Sequence, residues 1–264
     1  MIIAFICIVL IFNTMETISI HRPKIVVIGS CNTDMVVKAN RLPVPGETIL
    51  GGTFYMNPGG KGANQAIAAA RLGAEVTFIS KIGYDLFGLQ ALEIYRSEKI
   101  NTEYIFTDQK SPSGVALISV DSFGENSIIV APGASRSLSI EDINKAEEKI
   151  KEADIILMQL EIPIDTVEYA ATIACKYGKK VILNPAPASS LSNSFLMNVH
   201  TILPNRIEAE MLSGIKVMNI ESAHRAAQAI GEKGIENVVI TLGKDGADVK
   251  EKDEYTMIPA KEVE

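Results

Sequence analysis

Apolar and polar positions alternate in blocks along this chain, and the period of the alternation changes from block to block. Residues 24–30, KIVVIGS, form a short β-branched run ending in glycine, the pattern of a strand buried on both faces. Similar runs recur at 75–83 (EVTFISKIG), 154–160 (DIILMQL), 180–184, 201–205 and 237–243 (NVVITLG). Between them the period lengthens to that of helices: 85–99, 138–153 opened by Ser139, 163–177, 206–214 and 222–233. Pro163 at the start of the third and Gly178 at its end are in the positions helices favour. Such alternation builds a mainly parallel sheet covered on both faces. The expectation is therefore an α/β three-layer sandwich, with 237–243 as its last core strand.

Two stretches break the alternation. Residues 40–57 hold Pro43, Pro45, Gly46, Gly51 and Gly52 around the short runs ETIL and TFYM, without a helical period. Residues 113–131 carry GVALISV, then DSFGEN, then a second apolar run, and read as a hairpin turning at 122–125. Together they predict one small sheet lying over a site as a lid.

A glycine-rich stretch, NPGGKGANQAIAAARLG at 57–73, leads into a helix expected to begin near Gly62 or Ala63. Its first N–H groups have no partner within the helix, so they favour a hydroxyl or anionic oxygen placed before them. Lys61 and Asn64 add a cation and an amide there. A Walker P-loop is excluded, because Tyr55 stands where its first glycine belongs and Gly62 follows the lysine.

The remaining polar residues gather where strands end: Asn32 and Asp34, Glu161, Asn184, Asn205 with Glu208, and Thr241 with Gly243 and Gly246. That recurrence points to one site along one sheet edge. Asn32 and Asp34 read as residues of the turn leaving the first strand, and Glu161 is also placed to cap the helix after it. Asn205 and Glu208, three apart on a first helical turn, are fit to hold a hydrated cation or phosphate oxygens.

Composition narrows the class. The chain has 264 residues, 47% hydrophobic, which suits one large α/β domain over 24–264. A formal charge of -7 with no basic tract argues against a nucleic-acid partner. Cys7, Cys31 and Cys175 are odd in number and lack metal-ligand spacing, which suits a reducing, cytoplasmic setting. Residues 1–12, MIIAFICIVLIF, are apolar but too short for an ordinary membrane span and lack signal-peptide flanks. Residues 1–23 are read as an extension and lead-in, with Met15 as the expected initiator and a membrane tether as the lesser alternative.

The segments GSCNTD, PGETILGG, NPGGKGANQA, KIGYDLFG, SPSGVALI, LMQLE, LNPAPA, LPNRIEAE and TLGKDG together resemble the ribokinase (PfkB-type) family of carbohydrate kinases. The resemblance runs from about residue 24 to the end. It implies ATP-dependent phosphorylation of a pentose, D-ribose to D-ribose 5-phosphate, with Mg2+ and a monovalent cation, K+, as helpers. Sugar contacts would fall to Asn32, Thr33, Asp34, Gly60, Lys61, Gly62, Ala63, Asn64 and Glu161. The nucleotide would meet Asn205 and the run Thr241, Leu242, Gly243, Lys244, Asp245 and Gly246, with Glu208 placing Mg2+ through water. The lid segments of this family can also build a homodimer interface.

One part of the pattern is missing. The family's Asp-Thr-x-Gly-Ala-Gly-Asp motif, which carries the general base and the anion hole, would follow YTMIPAKEVE and so lie beyond Glu264. No catalytic residue is therefore assigned within the chain. The expectation is a chain lacking its carboxyl-terminal catalytic segment, with little turnover as given. The alternatives are another sugar or nucleoside kinase of the same kind, or a non-catalytic sugar binder or inactive fragment.

Overall fold

The computed structural model describes residues 22–261, and the readings made for residues 1–21 fall outside them. The chain enters on β1 (Lys24–Ile28), turns through residues 29–31 and continues at once as β2 (Asn32–Lys38). Next come β3 (Thr53–Gly59), α1 (Lys61–Arg71), β4 (Glu75–Gly83), α2 (Leu86–Ser97) and β5 (Ile105–Asp108). The hairpin β6 (Gly114–Val120) and β7 (Asn126–Ala131) follows. Then the chain alternates through α3 (Ile140–Lys145), α4 (Glu147–Glu152), β8 (Ile155–Met158), α5 (Ile164–Lys176), β9 (Lys180–Leu183) and α6 (Asn193–Leu196). It closes with β10 (Thr201–Ile202), α7 (Arg206–Ser213), α8 (Ile220–Gly231), β11 (Asn237–Thr241), β12 (Ala247–Glu251) and β13 (Glu254–Ile258).

Nine strands form the central sheet in the order β13-β12-β11-β10-β9-β8-β1-β4-β5. All its pairings are parallel except those of β12 and β13. The apolar run of β1 serves both faces, because successive side chains point to opposite sides. Val26 and Ile28 join the core built with α3, α4, α5 and α8, whereas Ile25 and Val27 join the core built with α1 and α2. From β1 the strand order grows one way through β4 and β5, then the other way through β8 to β11. The reversal falls between β1 and β8, and open α/β sheets bind ligands in the crevice beyond the carboxyl ends at such a point. No helix among the described residues is long and apolar enough to cross a membrane.

A second sheet, β3-β2-β6-β7, stands over that crevice. Its second strand is the direct continuation of β1, and this corrects the sequence reading. Asn32 and Asp34 lie in a lid strand rather than in a turn, because β2 pairs with β3 on one side and β6 on the other. The lid is thus assembled from 32–38, 53–59, 114–120 and 126–131, and the ETIL run at 47–50 is not in a strand.

Two further expectations change. The single helix read over 138–153 is two helices, since Ala146 leaves helical dihedrals (φ -99°, ψ 5°) and its N–H reaches back to Ile143. The strand at 237–243 is not the last, because β12 and β13 extend the sheet as an antiparallel hairpin. That hairpin is rich in charged residues and turns on Lys252 at φ 54°, so it offers neither an apolar run nor a glycine signal.

Candidate active site

The turn after β1 and the start of α1 are pressed together. A Cβ at Gly62 would lie 2.7 Å from backbone atoms of Gly29 and Ser30, so only glycine fits. Gly60 caps the helix at φ 89°, a conformation costly for other residues. The first N–H groups of α1 do find oxygen acceptors, but these come from the chain itself. Lys61 N–H donates to Glu161 Oε2 at 3.0 Å, Ala63 N–H to the Ser30 carbonyl at 3.0 Å, and Gly62 N–H reaches Ser30 Oγ at 3.5 Å. The anion favoured at this helix end is thus the Glu161 carboxylate, delivered by the segment leaving β8.

Glu161 does not cap α5, whose N-cap Pro163 takes no side-chain hydrogen bond. Its Oε2 also accepts from Ser30 Oγ at 2.5 Å, and its Oε1 lies 3.0 Å from Lys61 Nζ. Burial alone would raise this carboxyl. The Ser30 hydroxyl, the Lys61 N–H and the Lys61 charge outweigh burial and hold it below the usual carboxylate range. Asp34 shifts the other way: burial and the charge of Glu161 push it up, and Lys61 only partly offsets them. Two carboxylates of opposite tendency therefore share one ammonium.

Glycine also shapes the lid side of this cluster. Asn32 is paired with Gly59 on one neighbouring strand and Gly114 on the other. A side chain at Gly59 would collide with the Asp34 carboxylate, and one at Gly114 with Asn32 Oδ1. That oxygen is buried without a hydrogen-bond partner. Thr33 is not brought in with its neighbours, because the period of two along β2 sends it to the other face of the lid. Ala63 is fully buried and its N–H is already committed to Ser30, so it presents nothing to a ligand. Gly62 is likewise buried against the turn, while Gly60, Lys61 and Asn64 are half-buried.

A second cluster forms where β10 and β11 end. Asn205 and Glu208 are locked in a reciprocal cap of α7: Glu208 N–H donates to Asn205 Oδ1 at 2.9 Å, and Asn205 N–H to Glu208 Oε2 at 2.8 Å. Burial raises the Glu208 carboxyl, with the Asn205 N–H and the Lys61 charge opposing. The Lys61 charge thus opposes protonation of Asp34, Glu161 and Glu208 alike. In the run 241–246, Leu242 is a core side chain and contributes only backbone; its N–H donates to the Gly246 carbonyl at 2.8 Å. Gly243, Lys244 and Asp245 are exposed. Thr241 N–H donates to the Pro204 carbonyl at 2.9 Å, and Thr241 bridges to Asn205.

Several residues of the site escaped the sequence reading. Arg206 holds the 241–246 loop, donating to the Leu242 carbonyl at 3.2 Å and to Asp245 Oδ2 at 2.7 Å. Gln159 is fully buried under Gly29 and hydrogen-bonds Gln65 of α1. Ser30, buried beneath Glu161, was passed over within GSCNTD because a lone serine after a strand is ordinary turn chemistry. Beside it, burial pushes the Cys31 thiol up to about 11, with Tyr95 Oη 2.9 Å from its sulfur, so it is no nucleophile at neutral pH.

Comparison with known proteins gives a consistent picture. The family model of pfkB family carbohydrate kinases matches residues 22–264. Ribokinase of Haemophilus influenzae is 45% identical over 237 residues, which is 90% of this chain and 78% of the relative. Deoxyribokinase of Salmonella typhi is 38% identical over 237 residues, 89% of this chain and 78% of the relative. Among solved structures, Arabidopsis thaliana ribokinase complexed with ribose and ATP superposes with a TM-score of 0.81 at 30% identity, over 90% of this chain and 78% of that one.

Proposed function

Because the chain belongs to the pfkB family of carbohydrate kinases, we propose that it transfers the γ-phosphoryl group of ATP to a hydroxyl of D-ribose, giving D-ribose 5-phosphate. The observation that carries this reading is the group formed by Asp34, Lys61 and Glu161 at the strand-order reversal, roofed by the lid. It offers charged acceptors beside a charged donor, the chemistry that holds neutral polyhydroxyl ligands. Asn32 and Asp34 take sugar hydroxyls from the lid side, Glu161 and Lys61 from the sheet side, and Gly60 and Asn64 close round the ring. Ribokinases at 36–45% identity and the likeness to a ribokinase complexed with ribose and ATP support ribose.

Asn205 and the 241–246 loop take the nucleotide, with Arg206 holding the loop in place. Glu208 has one carboxylate oxygen held by the Asn205 N–H. Its other oxygen fits a water of hydrated Mg2+, which is commonly bound through only one or two carboxylates plus substrate phosphates. When bound, that ion neutralises phosphate charge during transfer. No residue here is assigned to a monovalent cation. The roles assigned here to Asn32, Asp34, Lys61, Glu161, Asn205 and Glu208 are binding and orientation, and none of them is assigned as the proton acceptor.

The lid supports a homodimer. Phe54, Met56, Leu117, Ile128, Ile129 and Val130 are exposed on one four-stranded sheet whose edge strand β7 pairs, among the described residues, with β6 alone, and a second copy would cover them. Use of ATP and the unpaired Cys31 and Cys175 thiols suit the cytoplasm. Calorimetric titration with ribose, 2-deoxyribose, fructose and adenosine tests the substrate: ribose is expected to bind most tightly, and tighter binding of fructose or adenosine would refute the reading. A chain extended through the missing motif should release ribose 5-phosphate, identified by mass spectrometry.

A further inference from the structure

Ser30 is 1% exposed and touches no group that the proposed reaction transforms. Its hydroxyl donates to Glu161 Oε2 at 2.5 Å, and the same oxygen receives the Lys61 N–H at 3.0 Å. Oε2 is therefore engaged from two sides, by the turn after β1 and by the first residue of α1. Oε1 faces the Lys61 ammonium, 3.0 Å away. The final torsion of a glutamate is soft and roughly two-fold, so nothing within the side chain itself fixes the plane of its carboxylate. Something outside has to do so.

We propose that Ser30 is a positioning residue for sugar recognition, holding Glu161 Oε2 so that Oε1 and Lys61 Nζ meet the sugar as a fixed acceptor beside a fixed donor. This rests on the sugar-kinase reading above. Acceptor and donor 3.0 Å apart suit two hydroxyls on adjacent carbons, one donating to Oε1 and the other accepting from Nζ. Without the Ser30 hydroxyl Oε2 keeps the Lys61 N–H and Oε1 the Lys61 ammonium, so both holds come from one residue of α1 and the anchor from the turn after β1 is lost. The same hydroxyl helps hold Glu161 ionised, so its loss raises that carboxyl.

The test uses ribose as the probe and the full chain in four forms: unaltered, Ser30→Ala, Glu161→Gln and the double variant. Ser30→Ala is expected to weaken ribose binding about tenfold, the scale of one hydrogen bond to a charged group. In the Glu161→Gln background the same change should add less than about twofold, because the partner it acts through has changed. Carbon-13 NMR of the Glu161 carboxyl should show its titration midpoint moving to higher pH in Ser30→Ala. Equal losses in both backgrounds, or an unmoved midpoint, would overturn the proposal. Failure of the unaltered protein to bind ribose would instead remove the sugar reading, and the carboxyl titration would still decide whether Ser30 holds Glu161.

Discussion

Asp248 gives the sharpest test of the energetics. It lies on β12 with its side chain fully buried, beside β11 and β13, and neither carboxylate oxygen accepts a hydrogen bond. His224 Nε2 on α8 is 3.0 Å from Oδ1, near enough for an ion pair when the imidazole is protonated. The imidazole side chain is 40% exposed and lies tilted against Tyr255, ring centroids 4.6 Å apart, so solvent screens much of its attraction. Replacing such a pair by well-packed apolar side chains commonly stabilises by about 1–4 kcal/mol. Removing Asp248 alone leaves no buried charge stranded, because His224 is 40% exposed, so we expect Asp248→Val to gain about 1–2 kcal/mol near pH 7.5, roughly 2–8 °C in Tm for a chain of this size. Burial raises the Asp248 carboxyl, with His224 opposing. The unfolded group therefore ionises first as pH climbs above about 4, and the native state loses relative stability from there through the raised value. The gain in Asp248→Val should accordingly be smaller near pH 4.5 than at pH 7.5. His224→Leu alone should destabilise by leaving the carboxylate without a counter-charge, and the double variant should recover that loss. Scanning calorimetry at both pH values reads all of this; a pH-independent effect, or a loss of stability in Asp248→Val, would refute the reasoning.

Gly62→Ala forces a Cβ to within 2.7 Å of the Gly29–Ser30 backbone, so it should cost about 1–3 kcal/mol by urea unfolding and also weaken ribose binding; an unchanged urea midpoint would mean that the turn yields. Lys61→Met removes the cation that helps depress Glu161, so the acid loss of ribose affinity, which follows protonation of Glu161, should begin at higher pH than in the parent; an unmoved acid limb in a titration series contradicts this. Asp34→Ala should weaken ribose binding more than Ser30→Ala does, because it would delete an acceptor proposed to meet the sugar directly; calorimetry giving equal losses would remove Asp34 from the proposed sugar contacts. If the chain pairs through the lid as proposed, it should sediment as a dimer and Ile129→Lys on the exposed β7 as a monomer; a dimer unaffected by the change would exclude the lid as the interface.

The parallel core was legible because β1, β8, β9 and β11 are continuous apolar runs, and burial on both faces needs nothing else. Asn32 and Asp34 were found by their position after β1, but their conformation was not, since β2 is created by pairing with strands some 20 and 80 positions away. The β12–β13 hairpin was illegible for a related reason: its strands carry charged residues, one of them the buried Asp248, and it turns without glycine. Ser30 and Arg206 gave no signal because each matters through a partner distant in sequence, Glu161 for one and Asp245 for the other. The opposite ionisation tendencies of Glu161 and Asp34 likewise depend on which neighbours the fold delivers, not on residue type.

The passage of β1 straight into β2 through three residues has a thermodynamic corollary. Asn32 and Asp34 are at once the base of the roof and two of the groups that would grip its contents, so occupancy of the site and the orientation of the roof are one variable. A ligand that engages them narrows the positions open to the whole four-stranded sheet. By reciprocity, whatever seizes the outer side of that sheet changes affinity inside by the same factor. Assembly through β7 and sugar retention would then be linked equilibria, and dilution of the protein would be felt as a weaker hold on ribose with no change in any group that touches it.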